Sequence, residues 1–283
     1  MKPNAATKPV YHPLAERLRR IEGRHNSLLK ALRAAFAHGD PTPDGFIAIE
    51  GLRIIEEAIR SGLRFRAVFF GESATAKAEK LLPQIGAHVE TFLLPDKLFA
   101  SAVPSESPQG VAALVRLKDF SLVDLLSLAQ NRPLLAIAGI QDPGNLGTML
   151  RSAEAFETAG VLLGEGTVSP LNPKVVRASA GSLFRVPFVR AKLEAIIPDL
   201  QQRGFRLMAT SSHKGTPLHE ADLTPPLILF VGGEGAGVPR DLLAKMNGVV
   251  AISHSSKVES LNAGVAASIL LYEASKRRQG GET

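Results

Sequence analysis

The chain has 283 residues, 45% of them hydrophobic, which is enough for two domains with ordinary cores and excludes a disordered protein. It contains no cysteine, so disulfides, thiolate metal sites and a cysteine nucleophile are excluded, in keeping with a reducing cytoplasm. The net charge is +6, and residues 1–33 carry all of it, with eight Lys or Arg against Glu16 and Glu22. A basic arm on a neutral body describes a nucleic-acid partner and a solvated helix face equally well.

The opening MKPNAATKPVYHP is polar, proline-marked and without the apolar stretch of a secretory signal. No apolar run approaches the ~18 residues of a membrane helix, so a cytoplasmic chain is expected. Residues 1–13 read as a disordered basic arm. Residues 14–36 read as a helix broken near Gly23, with Asn26 capping its second half and Gly39 ending it. GDPTPDG (39–45) is a turn cluster. Strands are then expected at 46–50, 65–70, 88–94 and 110–117, and helices at 52–62 and 74–82. This alternation predicts a compact α/β domain over residues 14–118.

Residues 119–133 read as a linker with a short helix. A second α/β series follows over 134–283. Its strands are expected at 134–140, 159–163, 205–210, 227–231 and 248–252. Its helices are expected at 147–158, 173–182, 191–203, 239–246 and 261–278. Near-continuous apolar strands separated by helices predict a parallel sheet covered on both faces. In such sheets, ligands bind beyond the carboxyl ends of the strands.

Three strands run into unusual loops there. In GIQDPGNLGTMLRSAEAF (139–156), Asp-Pro-Gly-Asn forces a turn and Gly147 permits close passage before a helix. Arg151, expected in the opening turns of that helix, can fork onto phosphate oxygens. A capped turn with a surface arginine accounts for the same residues. In LILFVGGEGAGVPRDLL (227–243), four glycines follow a buried strand and bring main-chain amides toward a ligand. Gly233, Gly235 and Gly237 do not form the dinucleotide fingerprint G-x-G-x-x-G, and no phosphate loop exists in the chain. Glu234 among them repels phosphate and suits a ligand with hydroxyls and positive charge. A tight strand-to-helix turn is the competing account, and the density of glycine counts against it. In AISHSSKVESLNAGVAASILLYEASKRR (251–278), Ser260 is the expected N-cap of an apolar helix. Leu261, Val265, Ile269 and Tyr272 are expected to face its core. Capping leaves unexplained the polar Asn262 that follows.

These three segments, in this order, resemble the three motifs of the SpoU (TrmH-type) RNA ribose 2′-O-methyltransferases of the SPOUT superfamily. Asn145, Gly147, Arg151 and Ala153 match the first motif. Gly232, Glu234, Gly235 and Gly237 match the second, and Ser260, Leu261 and Asn262 the third. NPKVVRASAGSLFRVPF (172–188) is similar at the same relative place. Upstream, HNSLLKALR (25–33), FIAIEGLRIIEEAI (46–59) and SPQGVAALV (107–115) resemble the family's amino-terminal RNA-binding module.

The resemblance implies a knotted (trefoil) parallel-sheet methyltransferase domain preceded by a smaller α/β domain like ribosomal protein L30e. It implies S-adenosylmethionine as methyl donor, no metal, and a homodimer whose active site is completed across the interface. The donor would lie against Thr210, Gly232, Gly233, Gly235, Ile252 and Leu261. Arg151, Asn145, Glu234, Ser260 and Asn262 would be catalytic. Asn145, Ser260 and Asn262 would orient the ribose and Arg151, with Glu234 an anchor or a partner for Arg151. The family's proposal makes the motif-one arginine a base; phosphate grip and stabilisation of the developing oxyanion is the alternative, because a guanidinium is normally protonated.

RNA would be held by Arg17, Arg20, Arg24 and Lys30, so deleting residues 1–24 is expected to weaken RNA binding and flatten its salt dependence. Large-subunit ribosomal RNA is the first expected substrate and transfer RNA the second. A non-catalytic RNA binder, a nucleotide-cofactor oxidoreductase and a base methyltransferase are the competing readings.

Overall fold

A computed structural model describes residues 17–212, 214–235 and 237–280. The expected disordered arm, 1–13, lies outside the described residues. The chain divides into two compact units. One takes residues up to Ile59 and Arg64–Arg116; the other takes Arg60–Leu63 and Leu117 onward.

The first unit is built on a sheet of order β1-β4-β3-β5-β2. Its strands are β1 (Leu18–Arg20), β2 (Ile47–Glu50), β3 (Arg64–Gly71), β4 (Glu90–Leu94) and β5 (Val111–Arg116). β1, β4 and β3 run parallel, while β5 runs antiparallel to β3 and β2. Helix α1 (Ser27–His38) starts where the Asn26 side chain accepts from the amides of Leu28 and Leu29, and ends at left-handed Gly39. Its buried Leu29, Leu32, Ala35 and Phe36 join a core containing Phe46, Phe69, Phe92 and Phe99. Helices α2 (Leu52–Arg60), α3 (Thr75–Leu81) and α4 (Asp96–Ala100) complete this unit's elements.

The expected helix before Gly23 is instead the edge strand β1. Tertiary pairing overrides helix propensity here. Leu18, Arg19 and Arg20 align with Thr91, Phe92 and Leu93 of β4. The Arg17 guanidinium fastens the strand by donating to the carbonyls of Leu82, Ile85 and Gly86 at 2.6, 3.0 and 3.2 Å.

The second unit is a seven-stranded parallel sheet of order β10-β12-β9-β11-β6-β7-β8. In chain order it contains α5 (Leu122–Leu128), β6 (Leu134–Ala138), α6 (Pro143–Ala155), β7 (Gly160–Leu163), α7 (Pro173–Ala178) and β8 (Phe188–Arg190). There follow α8 (Leu193–Gln202), β9 (Arg206–Ser211), β10 (Thr216–Pro217), β11 (Leu227–Gly232), α9 (Arg240–Leu243), β12 (Gly248–Ala251) and α10 (Ala263–Gly280). Every residue of β6 and β11 is buried, as expected of strands covered on both faces.

The segment 119–133 is not a free linker. Ser121 and Asp124 cap α5 reciprocally, and Leu125, Leu126 and Ala129 are packed into the second unit's core. Helix α6 begins four residues earlier than the pattern suggests. Pro143 occupies its first turn, and the Asp142 carboxylate accepts from the Asn145 amide at 2.7 Å. Gly147 is therefore inside the helix, where its missing Cβ admits Ala178 and Ser179 at the end of α7.

Candidate active site

The carboxyl ends of the parallel strands form one rim. Past β11 the chain folds back on itself: Gly233 donates to Ala138 O at 3.1 Å, and Gly237 to Gly233 O at 3.0 Å. A Cβ on Gly232 would stand 1.9 Å from the carbonyl carbon of Gly237, so no side chain is admissible there. Together with the loop after β12, this turn encloses a cavity of about 590 Å³.

Thr210, Gly232, Gly233, Gly235, Ile252 and Leu261, the expected donor contacts, all line that cavity. Glu234, Ser260 and Asn262 line it too. Residues that sequence reasoning missed are His254 and Glu259. The His254 ring is part-buried, with Nδ1 2.7 Å from Ile252 O. The available signal was their place between Ile252 and Ser260, on the same loop. Two carboxylates face this cavity and, among the described residues, no Lys or Arg lines it.

Asn145 sits one turn into α6, 8% exposed, and its amide donates to the Glu234 carboxylate. This bond joins the loop after β6 to the loop after β11. Asn262 is the N-cap of α10: its Oδ1 accepts from Val265 N at 3.1 Å and its carbonyl from Ala266 N at 2.9 Å. Ser260, the expected cap, is instead an exposed residue of the cavity wall. Gly264 keeps the two asparagines close, since a Cβ there would stand 3.2 Å from Oδ1 of each.

Arg151 is not gathered in. With α6 starting at Pro143, it lies in the helix's third turn, exposed and outside the cavity. Six residues from Asn145, it points roughly 120° away around the helix. Among the described residues no hydrogen bond or ion pair to its side chain is seen, and Glu234 is held by Asn145.

The core face of α10 also differs from expectation. Ala263, Ala267, Leu270, Leu271 and Ala274 are buried, whereas Val265 and Tyr272 are nearly half exposed. A helix apolar all round gives periodicity nothing to choose between. The buried face lies against α6, where the hydroxyls of Ser152 and Ser268 are 2.7 Å apart.

Of the expected RNA contacts, Arg17 is committed to three carbonyls, and Arg20 pairs with Glu22 and Glu72. Arg24 and Lys30 are exposed, and their side chains have no partner among the described residues. No group of three or more His, Asp or Glu among the described residues is arranged to hold a metal ion.

A parallel sheet whose rim carries a glycine-walled cavity tied to an asparagine on the neighbouring helix defines an α/β domain that takes a small molecule at the carboxyl ends of its strands. Residues 132–272 match the model of the SpoU rRNA Methylase family, and residues 42–113 that of the MRM3-like substrate binding domain. The 23S rRNA (guanosine(2553)-2′-O)-methyltransferase RlmP of Bacillus subtilis is 32% identical over 256 residues, 90% of this chain and 98% of its own. The SpoU methyltransferase AviRb of Streptomyces viridochromogenes, solved in complex with AdoMet, superposes with a TM-score of 0.75 at 25% identity, covering 90% of this chain and 99% of its own. A structure described as an RNA 2′-O ribose methyltransferase superposes at 0.74 with 27% identity, over 92% and 100%. The chain belongs to the SpoU rRNA methylase family.

Proposed function

We infer that this chain transfers a methyl group from S-adenosylmethionine to a ribose 2′-hydroxyl of ribosomal RNA, the large subunit first and transfer RNA second. The observation that carries this reading is the Asn145–Glu234 hydrogen bond at the edge of an acidic, glycine-walled cavity. The cavity fits the donor: two carboxylates favour a ligand bearing sulfonium and ammonium charges, and glycine backbone admits close approach. Bound there, S-adenosylmethionine supplies an already activated methyl carbon, so the protein's task is mainly positioning.

Thr210, Gly232, Gly233, Gly235, Ile252 and Leu261 hold the donor, largely by main chain. Glu234 fixes the Asn145 amide. Asn145, Ser260 and Asn262 orient the ribose so that its oxygen attacks the methyl carbon in line as the carbon–sulfur bond breaks and S-adenosylhomocysteine leaves, the hydroxyl proton passing to water. Arg151 stabilises the developing negative charge on that oxygen and grips the adjacent phosphate. A guanidinium keeps its proton at neutral pH, which favours this role over that of a base.

Arg151 lies outside its own chain's cavity, which supports a homodimer in which it serves the partner's. The half-exposed Val265 and Tyr272 on α10 supply an apolar patch for that contact. The carboxyl-terminal trefoil knot is part of the same reading. Its support is the return path: β12 lies beyond β9, yet α10 comes back against α6 and β11. The first unit, read as L30e-like, selects the RNA by loops and shape, with Arg24 and Lys30 on phosphates. The cytoplasm is the proposed location; among the described residues no helix is long and apolar enough to cross a membrane.

The test is transfer of labelled methyl to ribosomal and transfer RNA lacking the modification, with Arg151→Ala in parallel. The product is mapped as a nucleotide resistant to alkaline cleavage. Transfer by the wild type alone to one resistant nucleotide is the expected result. Label on a base, or none on any RNA or ribosomal particle, overturns the reading.

A further inference from the structure

The rim continues past the cavity to a second hollow. Between the ends of β7 and β8 lies a notch of about 280 Å³, lined by the turn Gly164-Glu165-Gly166-Thr167 and by Arg190 and Lys192. Both cations are exposed, and among the described residues neither side chain has an acidic partner or a hydrogen bond. No hydrogen bond within the described residues is made by the amides of Glu165 and Gly166.

The notch is laced to the end of β6 and the loop that leads into α6, the helix of Asn145. Gly164 N donates to Ile137 O at 2.8 Å, and Val168 N to Ile140 O at 2.8 Å. The Thr167 hydroxyl accepts from Gly139 N at 3.2 Å, and a Cβ on Gly166 would stand 3.6 Å from Gly139 Cα. On the other side Ala191 N donates to Leu163 O at 3.0 Å. The notch is therefore held rigidly in register with the end of β6. One and a half strand spacings separate them, roughly 7 Å.

We propose that this notch is a phosphate subsite for the RNA strand that presents the reacting ribose. Arg190 and Lys192 take the phosphate oxygens of a nucleotide flanking the target, and the Glu165 and Gly166 amides, without a hydrogen bond among the described residues, are available to the same anion. The cavity beyond β11 is acidic and this notch carries two cations against one carboxylate, Glu165, so the rim is polarised. A positively charged donor is drawn to one end and a polyanion to the other. Clamping one flanking phosphate to a wall bonded to the loop that leads into α6 fixes the ribose between the two ends of the rim. Glu165 opposes the phosphate and weakens the subsite.

The proposal rests on the RNA reading above, and the test separates the two. RNA affinity is measured on unmodified 23S rRNA transcript between about 50 and 200 mM salt. Wild type, Arg190→Gln/Lys192→Gln and Glu165→Gln are compared, with melting curves to confirm folding. The double variant is expected to lose about 0.7 from the slope of log affinity on log salt, the value for one single-strand phosphate contact. Its KM for RNA rises, by a factor roughly 2.6 times larger at 50 mM than at 200 mM salt, while donor affinity holds. Glu165→Gln shifts RNA affinity the opposite way. A double variant that binds RNA with the wild-type slope and KM overturns the subsite and leaves the enzyme reading standing. A wild type that neither binds nor methylates RNA overturns both.

Discussion

Helix propensity and packing make opposite predictions at Gly147. In an isolated helix, Gly→Ala gains roughly 1 kcal/mol. In this fold the added Cβ would stand 2.3 Å from Ala178 Cβ, 2.8 Å from Ala178 C and 2.9 Å from Ser179 N. Ordinary contact begins near 3.4 Å, so α6 and α7 must part by about 1 Å, and two of the obstructing atoms are backbone. Overpacking of this kind costs typically about 1–3 kcal/mol, which cancels the propensity gain and leaves Gly147→Ala destabilised by up to about 2 kcal/mol. The displaced helix carries Asn145 and Arg151, and a shift of about 1 Å at a reacting centre can cost ~100-fold in rate. Urea unfolding and methyl transfer measure the two effects, with Gly23→Ala as a control, since a Cβ there meets nothing within 4 Å. A Gly147→Ala protein as stable and as active as the wild type would refute the close-approach argument.

Gly232→Ala cannot be accommodated against Gly237, and calorimetry should find donor binding abolished; retained affinity would mean the turn is plastic. Mixing Arg151→Ala chains with Glu234→Ala chains should recover activity that neither has alone, because one hybrid site is intact; no recovery argues against completion across an interface. Arg24→Gln with Lys30→Gln should lower the RNA salt slope by up to about 1.4, whereas Arg17→Gln should lower the melting temperature and leave the slope alone. An unchanged slope in the first pair would remove α1 from the RNA face. The Asp222 carboxyl is held well below its ordinary value, first by the Arg206 guanidinium and then by the Thr224 hydroxyl and amide. Its contribution to stability is complete above the ordinary carboxylate range and is lost as pH falls toward the depressed value. Arg206→Gln should move its titration upward, read by NMR of the carboxyl carbon; a titration that stays put would contradict that cause.

Sequence periodicity found the strands of the second sheet wherever they were fully buried, because an apolar run bounded by turn residues has few other meanings. β6 and β11 are examples, and the loops after them followed from the sheet rule. Three of the four edge strands, β1, β8 and β10, escaped, whereas the fully buried edge strand β2 did not. β1 is defined by pairing with β4 and by Arg17 on three carbonyls, neither of which is a local property. β8, three residues long, has no periodicity to read. Pro and Gly read as turn and hide the start of α6, whereas Pro143 after Asp142 opens a helix. Asn262 looked like a polar intrusion because the cap was assigned two residues early. Within the site, residue types and spacing identified the cavity wall. They could not place Arg151, whose direction depends on where its helix starts.

The two ends of the rim are made of different material. Around Gly232 the wall is peptide backbone at positions where even a methyl group collides, so single substitutions can ruin it but can scarcely retune it. Around Arg190 and Lys192 it consists of exposed side chains that can be exchanged without disturbing a core. A saturation library scored for activity should therefore split along the rim. One end would behave as a fixed socket that accepts a single small molecule, the other as an adjustable jaw, and a new RNA target could be acquired by changing the jaw alone.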